Sequence, residues 1–334
     1  MNSVKNMRFL SILGIFISLI LLFLILSQLD WNIFIVTLDA LKIQWVLACA
    51  FLVILGVLIR TLRWNTIAGH PLKEYVYFWK SMNLGYFANM IYPARAGEIV
   101  RMITIHRYVN MPQGKAISSV IIDRIFDGLV LGIFILFLLI LHDSRFSWGI
   151  AFILLILLFV LLSFMLVSFI LWGNKIKGKI FFFIKKFPER FVKRLDLWYN
   201  EAFDGAQALR ERYRLFLILA LSTAAFLIDS FSFYLLTLGF GWKLPFIVSI
   251  YLAIFIQVAI ILPSAPGYVG IYQVACVLAL RLFGIDDSAA IAYSLVLQVL
   301  AFGIFVIFGT TIAIRDGISP YKITNSAPPI TKDE

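Results

Sequence analysis

Residues 92–98 read Tyr-Pro-Ala-Arg-Ala-Gly-Glu, and residues 262–268 read Leu-Pro-Ser-Ala-Pro-Gly-Tyr. Each stretch interrupts an apolar region with the pattern Pro-x-x-x-Gly, and one constant offset separates both the two prolines and the two glycines. Matched Pro/Gly breaks in two hydrophobic halves are typical of the discontinuous helices that line transporter binding sites. The pair therefore predicts a pathway for a lipid or solute rather than a simple membrane anchor.

The composition places the chain in the membrane. Hydrophobic residues make up 62% of the 334 residues and charged residues only 14%, more apolar surface than a soluble domain can bury. We therefore predict a single membrane domain over residues 1–334, without a separate soluble catalytic domain. The net charge of +11 is better explained by basic residues beside membrane spans than by nucleic-acid binding.

Six apolar runs are long enough to cross about 30 Å of hydrocarbon; they are residues 9–27, 43–60, 118–141, 148–172, 215–239 and 288–314. Two further apolar regions, 75–108 and 245–283, are interrupted by the paired breaks. The arms that follow the breaks are too short to cross, so each region is predicted to be a re-entrant hairpin or a broken helix. Such open backbone is tolerated only where protein or a cavity shields it.

The offset between the breaks extends to the neighbouring spans, so two repeat halves are predicted at about 9–141 and 148–314. Three crossings separate the hairpins, and this odd number makes the halves inverted relative to each other. The predicted fold is an all-α integral membrane protein with about six spanning helices and two hairpins in an inverted repeat. The hairpins are expected to meet near the bilayer midplane.

The basic residues predict the orientation. With this topology only four Lys/Arg fall outside the cytoplasm (Lys42, Arg145, Lys243 and Arg281), and the others lie on the cytoplasmic side or in the first hairpin. By the positive-inside rule, both termini are cytoplasmic in a cell (inner) membrane. The connection 173–214 holds eleven basic residues among aromatic ones and predicts an interfacial helix, either a passive anchor or a lipid sensor. The polar tail 316–334 is predicted to be disordered.

The first break carries charged residues suited to an anion. A half-helix that begins at Gly97 inside the membrane would direct free backbone N–H groups into a cavity. Arg95 and Arg101 add guanidinium donors that suit a lipid phosphate, and Asn89 leads into the break. Glu98 and Arg101, three residues apart, could equally form only a local ion pair.

The span after the first hairpin opens with Asp123-Arg124-Ile125-Phe126-Asp127. Its two aspartates share a helix face, and ionisable groups this close to hydrocarbon indicate function by default. Arg124 could complete a phosphate clamp, with the aspartates holding the guanidinium groups or carrying a proton. The alternative is a plain ion network at the start of a helix. Asp123 and Asp127 could also chelate Mg²⁺, which the intervening Arg124 opposes.

Fewer polar side chains accompany the second break. Around Pro263, Pro266, Gly267 and Gly270 the obvious polar groups are Gln257, Tyr272 and Gln273, so an anionic head group is expected mainly at the first break. Asp229 lies near the centre of the 215–239 span, where an unpaired carboxylate is costly. It is either a proton-relay candidate or the end of a polar network with Ser230, Ser232 or Tyr234.

Two blocks of the sequence resemble the transmembrane region of the lysylphosphatidylglycerol synthase/flippase family. One is the run 83–127, with Asn89, Pro93, Gly97, Glu98, Arg101, Asp123, Arg124 and Asp127; the other is Pro263-x-x-Pro266-Gly267-x-x-Gly270. The resemblance covers roughly residues 10–315. In this region the chain is similar to stand-alone members of the family, which lack the aminoacyl-transferase domain, so lysyl transfer is not expected. Gln273 stands where such proteins often have an acid, which weakens the case for proton-linked chemistry there.

The resemblance implies a flippase that moves an anionic or aminoacylated phospholipid, or a polyprenyl-phosphate-linked lipid, between leaflets. Its expected partners are therefore membrane lipids, not nucleic acid, and lipid- or glycan-modifying enzymes are candidate protein partners. Two alternatives stay open: a membrane lipid transferase that uses Asp123 and Asp127 with a metal, and a non-transporting scaffold. The sequence shows no catalytic motif, and we expect no resident cofactor or metal site.

Overall fold

The computed structural model describes residues 20, 23, 27, 29–92, 96–141, 150–184, 188–261 and 265–318. The described residues contain helices and no β-strand, which confirms the prediction of an all-α membrane protein. Eleven α-helices lie in these ranges: α1 Trp31–Asp39, α2 Ile43–Ala68, α3 Tyr75–Ile91, α4 Gly97–Val109, α5 Gln113–Ile140, α6 Ile150–Ile184, α7 Glu189–Gln207, α8 Arg212–Gly239, α9 Ile247–Ile261, α10 Ile271–Arg281 and α11 Asp287–Arg315.

Three of the described helices, α2, α8 and α11, are long and apolar enough to cross a membrane. α5 is 28 residues long and corresponds to the predicted span 118–141. α6 begins near the start of the span predicted at 148–172 but continues to Ile184, with a kink at Trp172. The span predicted at 9–27 lies almost wholly outside the described residues, as does most of the tail from 319 onwards.

α2 is longer than predicted. The sequence places the end of its span at residue 60, whereas the helix continues to Ala68 and so contains both Arg60 and Arg63. The sequence rule treats arginine as a sign that the chain has left the hydrocarbon. The helix continues here because arginine is a good helix former, and the buried charge of Arg63 is neutralised by carboxylates of another helix, as described below.

Both broken regions are antiparallel helical hairpins. In the first, Tyr77 near the start of α3 and Tyr108 near the end of α4 have ring centroids 5.6 Å apart. In the second, the ring centroids of Tyr251 in α9 and Phe283, just after α10, are 5.4 Å apart. The second arms, α4 and α10, have 13 and 11 residues, which at about 1.5 Å per residue is too short to cross the hydrocarbon.

The order and spacing of the helices are similar in two parts of the chain. α2, α3, α4 and α5 are matched by α8, α9, α10 and α11, and the starts of corresponding helices are separated by nearly the same offset in all four pairs. The two repeat halves and their inverted orientation stay predictions.

The described residues fall into two compact units, whose boundaries lie within α2, α3, α4 and α8. Unit 1 lies in Met1–Val57, Met82–Val100 and Leu227–Glu334, and unit 2 in Leu58–Ser81 and Arg101–Phe226. In unit 1, α9 packs with α10, and both α10 and α1 pack with α11; in unit 2, α5, α6 and α7 pack together. An apolar core in unit 2 joins these helices to parts of α2 and α8 (Ile67, Ile122, Phe126, Ile170, Ala206, Leu209 and Ile218).

Candidate functional site

Unit 2 contains a buried ion pair between two of the predicted site residues. Arg101 of α4 donates from Nη2 to Oδ2 of Asp123 in α5 at 2.9 Å, and both side chains are at most 2% exposed. The guanidinium group also lies over the ring of Trp64, 4.3 Å from its centroid, a favourable cation–π arrangement. Arg101 is thus held on two sides by residues of α2 and α5.

Arg63 of α2 joins both aspartates of α5. Its Nε donates to Asp123 Oδ1 at 2.9 Å, and its Nη1 donates to Asp127 Oδ1 at 2.6 Å. Nη1 also donates to the hydroxyl of Ser222 at 3.2 Å. Because one planar guanidinium group bridges two carboxylates one turn apart, it fixes α2 against α5.

The outer end of this network is Arg124. Its Nη1 donates to Asp127 Oδ2 at 2.9 Å, and Arg124 is 38% exposed and Asp127 28%, against 1% for Arg63 and Asp123. We call Arg101, Asp123, Arg63, Asp127 and Arg124, in this order, the charge ladder. It alternates in sign from a buried end to an exposed end, and its three guanidinium groups and two carboxylates leave a net charge of +1.

Sequence reasoning missed Arg63. A signal for it was present, because two aspartates on one face of a membrane helix need cationic partners. Arg60 and Arg63 lie in an apolar run that sequence reasoning ended too early. Ser222 carried no comparable signal, since a serine in an apolar helix usually bonds to its own backbone, as Ser222 also does to Ile218 O at 2.7 Å.

At the first break, the side chain of Asn89 accepts a hydrogen bond from the backbone of the second hairpin arm. The backbone N–H of Gly97 donates to Asn89 Oδ1 at 2.7 Å, so this amide is not available to a ligand as the sequence led us to expect. Gly97 also approaches α3 closely, since a Cβ at this position would collide with the carbonyl oxygen of Gly85 and lie 2.5 Å from Asn89 Oδ1. The glycine is required here for packing of the two hairpin arms.

The second break is held by a chain of amides. Gly270, which has φ +85°, donates from its backbone N–H to Gln273 Oε1 at 2.7 Å and precedes α10. Gln273 Nε2 donates to Gln298 Oε1 at 2.5 Å, and Gln298 Nε2 donates to the carbonyl oxygen of Gly267 at 2.6 Å. Gly267 also has a left-handed φ of +67° and belongs to the short turn Pro266–Tyr268. Gln298, which belongs to α11, was not foreseen from the sequence.

One stripe of α11 contacts both breaks within unit 1. Gln298 and Phe302 lie against Gly267, Phe305 packs on Tyr86 of α3 with ring centroids 4.6 Å apart, and Gly309 packs directly on Phe87. These four α11 positions follow helical spacing and so share one face. A Cβ on Gly267 would lie 3.9 Å from the carbonyl oxygen of Met90. The two breaks therefore lie beside each other, while their depth in a membrane stays a prediction.

Several predicted residues are not among the five that define the charge ladder. Pro93, Arg95 and Pro263 lie outside the described residues. Glu98 is half-buried in the first turn of α4, and Asp229 is half-buried within α8 in unit 1. Whether Asp229 carries protons stays a prediction.

The geometry limits the chemistry that Asp123 and Asp127 can perform. All four of their carboxylate oxygens accept hydrogen bonds from guanidinium groups. Among the described residues, no group of three His, Cys, Asp or Glu side chains lies close enough together to hold a metal ion. The exposed end of the ladder offers a cationic group that is oriented by its neighbour, which is the property needed to bind an anion reversibly.

Comparison with known proteins assigns the chain to a family. Residues 11–309 match the family model described as the lysylphosphatidylglycerol synthase TM region. The chain is also 24% identical over 281 residues to a UPF0104 membrane protein of Methanothermobacter thermautotrophicus, covering 79% of this chain and 81% of the relative. A UPF0104 membrane protein of Methanocaldococcus jannaschii is 23% identical over 235 residues, or 67% and 91% of the two chains. No solved structure matches the chain.

Proposed function

Because the chain belongs to the family of the lysylphosphatidylglycerol synthase TM region, we propose that it moves a lipid with an anionic, phosphate-bearing head group between membrane leaflets. Membership of this family indicates a function connected with membrane lipids, and the charge ladder supports the finer proposal. Aminoacylated phospholipids and polyprenyl-phosphate-linked lipids share the phosphate on which the proposal depends. A cell (inner) membrane with both termini in the cytoplasm is the location that the basic residues favour.

The observation that carries this proposal is the exposed end of the ladder. Arg63 and Asp123 form an ion pair in which both side chains are 1% exposed. A pair this deeply buried is costly to desolvate and contributes little net stability, so its presence in an apolar protein indicates a functional role. The ladder ends in Arg124, whose planar guanidinium suits bidentate contact with a phosphate.

Exchange of partners provides a reversible binding step. An arriving phosphate competes with Asp127 for the guanidinium group of Arg124, while Asp127 keeps its 2.6 Å bond to Arg63. Neither carboxylate is left without a cation during the exchange. A transported head group must bind strongly enough to enter the site and weakly enough to leave it. Competition by Asp127 for Arg124 weakens binding of the phosphate and so favours its release.

The hairpins supply the backbone irregularity that such a pathway needs. Non-helical backbone at membrane depth is tolerated where it is buried in protein or lines a cavity, and both breaks are bonded by side chains of their own unit. In this proposal the lipid tails remain in the bilayer while only the head group enters the protein. Arg101 lies one helical turn beyond Gly97, so the first hairpin and the ladder share the helix α4.

The two alternatives predict different outcomes in a reconstituted system. A metal-dependent transferase needs Asp123 or Asp127 to release its guanidinium partners for Mg²⁺, which the four occupied carboxylate oxygens disfavour. A scaffold for lipid- or glycan-modifying enzymes would show neither transport nor chemistry alone.

We expect the purified protein to accelerate lipid translocation in vesicles. The measurement uses fluorescent phosphatidylglycerol or phosphatidylcholine and follows the fraction that dithionite, a membrane-impermeant reductant, bleaches over time. Phosphatidylglycerol should cross faster than in protein-free vesicles and faster than phosphatidylcholine, because only the former has a net negative head group. The same rate with and without protein for both lipids would contradict the proposal, and a new Mg²⁺-dependent lipid product would favour the transferase.

A further inference from the structure

α7 is a helix of unit 2 that does not span the membrane and is not used by the proposed function. One side of it is firmly docked. Tyr199 donates from its hydroxyl to the carbonyl oxygen of Gly173 at 2.7 Å, and the ring of Phe203 lies directly against Gly173. Both rings also make edge contacts with Phe169 of α6, with centroid distances of 5.4 and 5.5 Å.

A second side of α7 contacts α5 and fixes the level of the helix. Glu201 accepts a hydrogen bond at 2.6 Å from the backbone N–H of Gly114, the second residue of α5. The end of α7 is five residues before Arg212, where the spanning helix α8 begins. α7 therefore lies level with the beginnings of α5 and α8, close to the starts of the spans predicted at 118–141 and 215–239. The first turns of α8 carry the exposed side chains of Tyr213 and Phe216, as expected of an aromatic belt.

The exposed surface of the first half of α7, before the contact of Glu201 with α5, combines apolar and basic residues. Leu197 is 62% exposed and Trp198 38%, although the helix as a whole is polar. Lys193 is 79% exposed, and the guanidinium group of Arg194 lies 5.3 Å from the ring centroid of Trp198. We call Lys193, Arg194, Leu197 and Trp198 the outer patch. Exposed Leu and Trp beside Lys and Arg are typical of helices that lie in the membrane interface.

α7 carries three basic and four acidic residues, and of the acids Glu189 and Asp204 are exposed. Asp196 pairs with Lys177 at 2.7 Å, and Glu201 is bonded to α5, so these acids are directed towards the protein. The outer patch itself contains two cations. Lys193 lies 3.7 Å from Glu189, but both groups are almost fully exposed and such pairs contribute little. The outer patch is therefore complementary to a negatively charged surface.

We propose that the outer patch binds the anionic head groups of the adjacent membrane leaflet, with Leu197 and Trp198 inserted below the head-group level. Lys193 and Arg194 then lie at the phosphate level, where each basic residue gains from the negative surface potential. This binding surface is separate from the charge ladder and does not depend on lipid translocation. It makes α7 a lipid-charge-dependent anchor for the docked helices of unit 2.

The test places a bimane probe on Leu197→Cys in a background with Cys49→Ser and Cys276→Ser. The full chain is reconstituted into phosphatidylcholine vesicles with or without one third phosphatidylglycerol. Quenching by a shallow doxyl-labelled lipid and by aqueous iodide reports the surroundings of the probe. We expect lipid quenching to exceed iodide quenching, and phosphatidylglycerol to increase this difference.

Charge reversal then isolates the anionic contribution. Lys193→Glu with Arg194→Glu should abolish the effect of phosphatidylglycerol, whereas Lys243→Glu with Arg281→Glu, an equal change at other exposed basic residues, should leave it intact. A monodisperse elution profile shows that each variant is folded. Full iodide quenching in both vesicle types would overturn the proposal. Lipid quenching that is indifferent to phosphatidylglycerol would overturn the assignment of an anionic partner.

Discussion

Replacing Arg63 with Met is expected to lower the free energy of unfolding by about 3–5 kcal/mol, the usual cost of removing one partner of a buried ion pair. Arg63 is 1% exposed and is bonded to Asp123, Asp127 and Ser222. Methionine fills much of the same volume, so the loss arises from the carboxylates rather than from a cavity. Asp123 keeps Arg101 and Asp127 keeps Arg124, but neither is then linked to α2.

The measurement is equilibrium unfolding in mixed micelles, followed by tryptophan fluorescence. Arg281→Gln is the matched control, because Arg281 also pairs with an aspartate, Asp287, but is 59% exposed. Its loss should cost only about 0–1 kcal/mol. Arg63→Lys should fall between the two variants, since a point charge cannot bridge both carboxylates as the planar group does. Equal stability of Arg63→Met and Arg281→Gln would show that Arg63 does not hold the ladder together.

Gly97→Ala has the second large expected effect. The added Cβ would meet the carbonyl oxygen of Gly85 and the side chain of Asn89 at the same time. The carbonyl oxygen of Gly85 is a backbone atom, so the clash with the new Cβ can be removed only if the two arms of the hairpin separate. Overpacking of this kind costs about 1–3 kcal/mol or more. Separation of the arms would also break the 2.7 Å bond from the Gly97 N–H to Asn89.

Gly303→Ala provides the control for this variant. Gly303 is also a helical glycine of unit 1, and no described atom outside its own helix neighbourhood lies within 4 Å of its Cβ position. Alanine there should be neutral or raise stability by up to about 1 kcal/mol, because it has the higher helix propensity. The same micelle unfolding assay compares the two variants. If Gly97→Ala behaved like Gly303→Ala, the close approach of α3 and α4 would be wrong.

The helices were predictable because their signal is local. An uninterrupted apolar run identified α2, α8 and α11, and Pro with Gly identified both breaks. The end of α2 was not predictable by the same rule, because hydropathy falls at Arg60 and Arg63 although arginine is a good helix former. The carboxylate partners of Arg63, which allow its charge to be buried, belong to a different helix, α5. The length of α6 beyond residue 172 was missed for a related reason, since its polar end is stabilised by docking against α7.

The site was predictable in part. The Asp123-x-x-x-Asp127 spacing identified the face that receives arginines, and Arg101 and Arg124 were singled out as their neighbours. Gln298 was not foreseen, because nothing local distinguishes a glutamine that bonds to Gly267 from any other glutamine. The amide of Gly97 was expected to be free, whereas Asn89, at the end of the preceding helix, occupies it. Such pairings depend on tertiary contact, which local patterns do not encode.

The most direct test of the account compares translocation of fluorescent phosphatidylglycerol by Arg124→Gln and Arg281→Gln, at equal protein-to-lipid ratio. Both variants remove an exposed, paired arginine, but only Arg124 belongs to the charge ladder. Loss of a charge-assisted bond to phosphate predicts a rate roughly tenfold or more below wild type for Arg124→Gln. Arg281→Gln should remain within about twofold of wild type, as expected for an exposed pair. Equal rates for the two variants would contradict the assignment of the ladder as the head-group site.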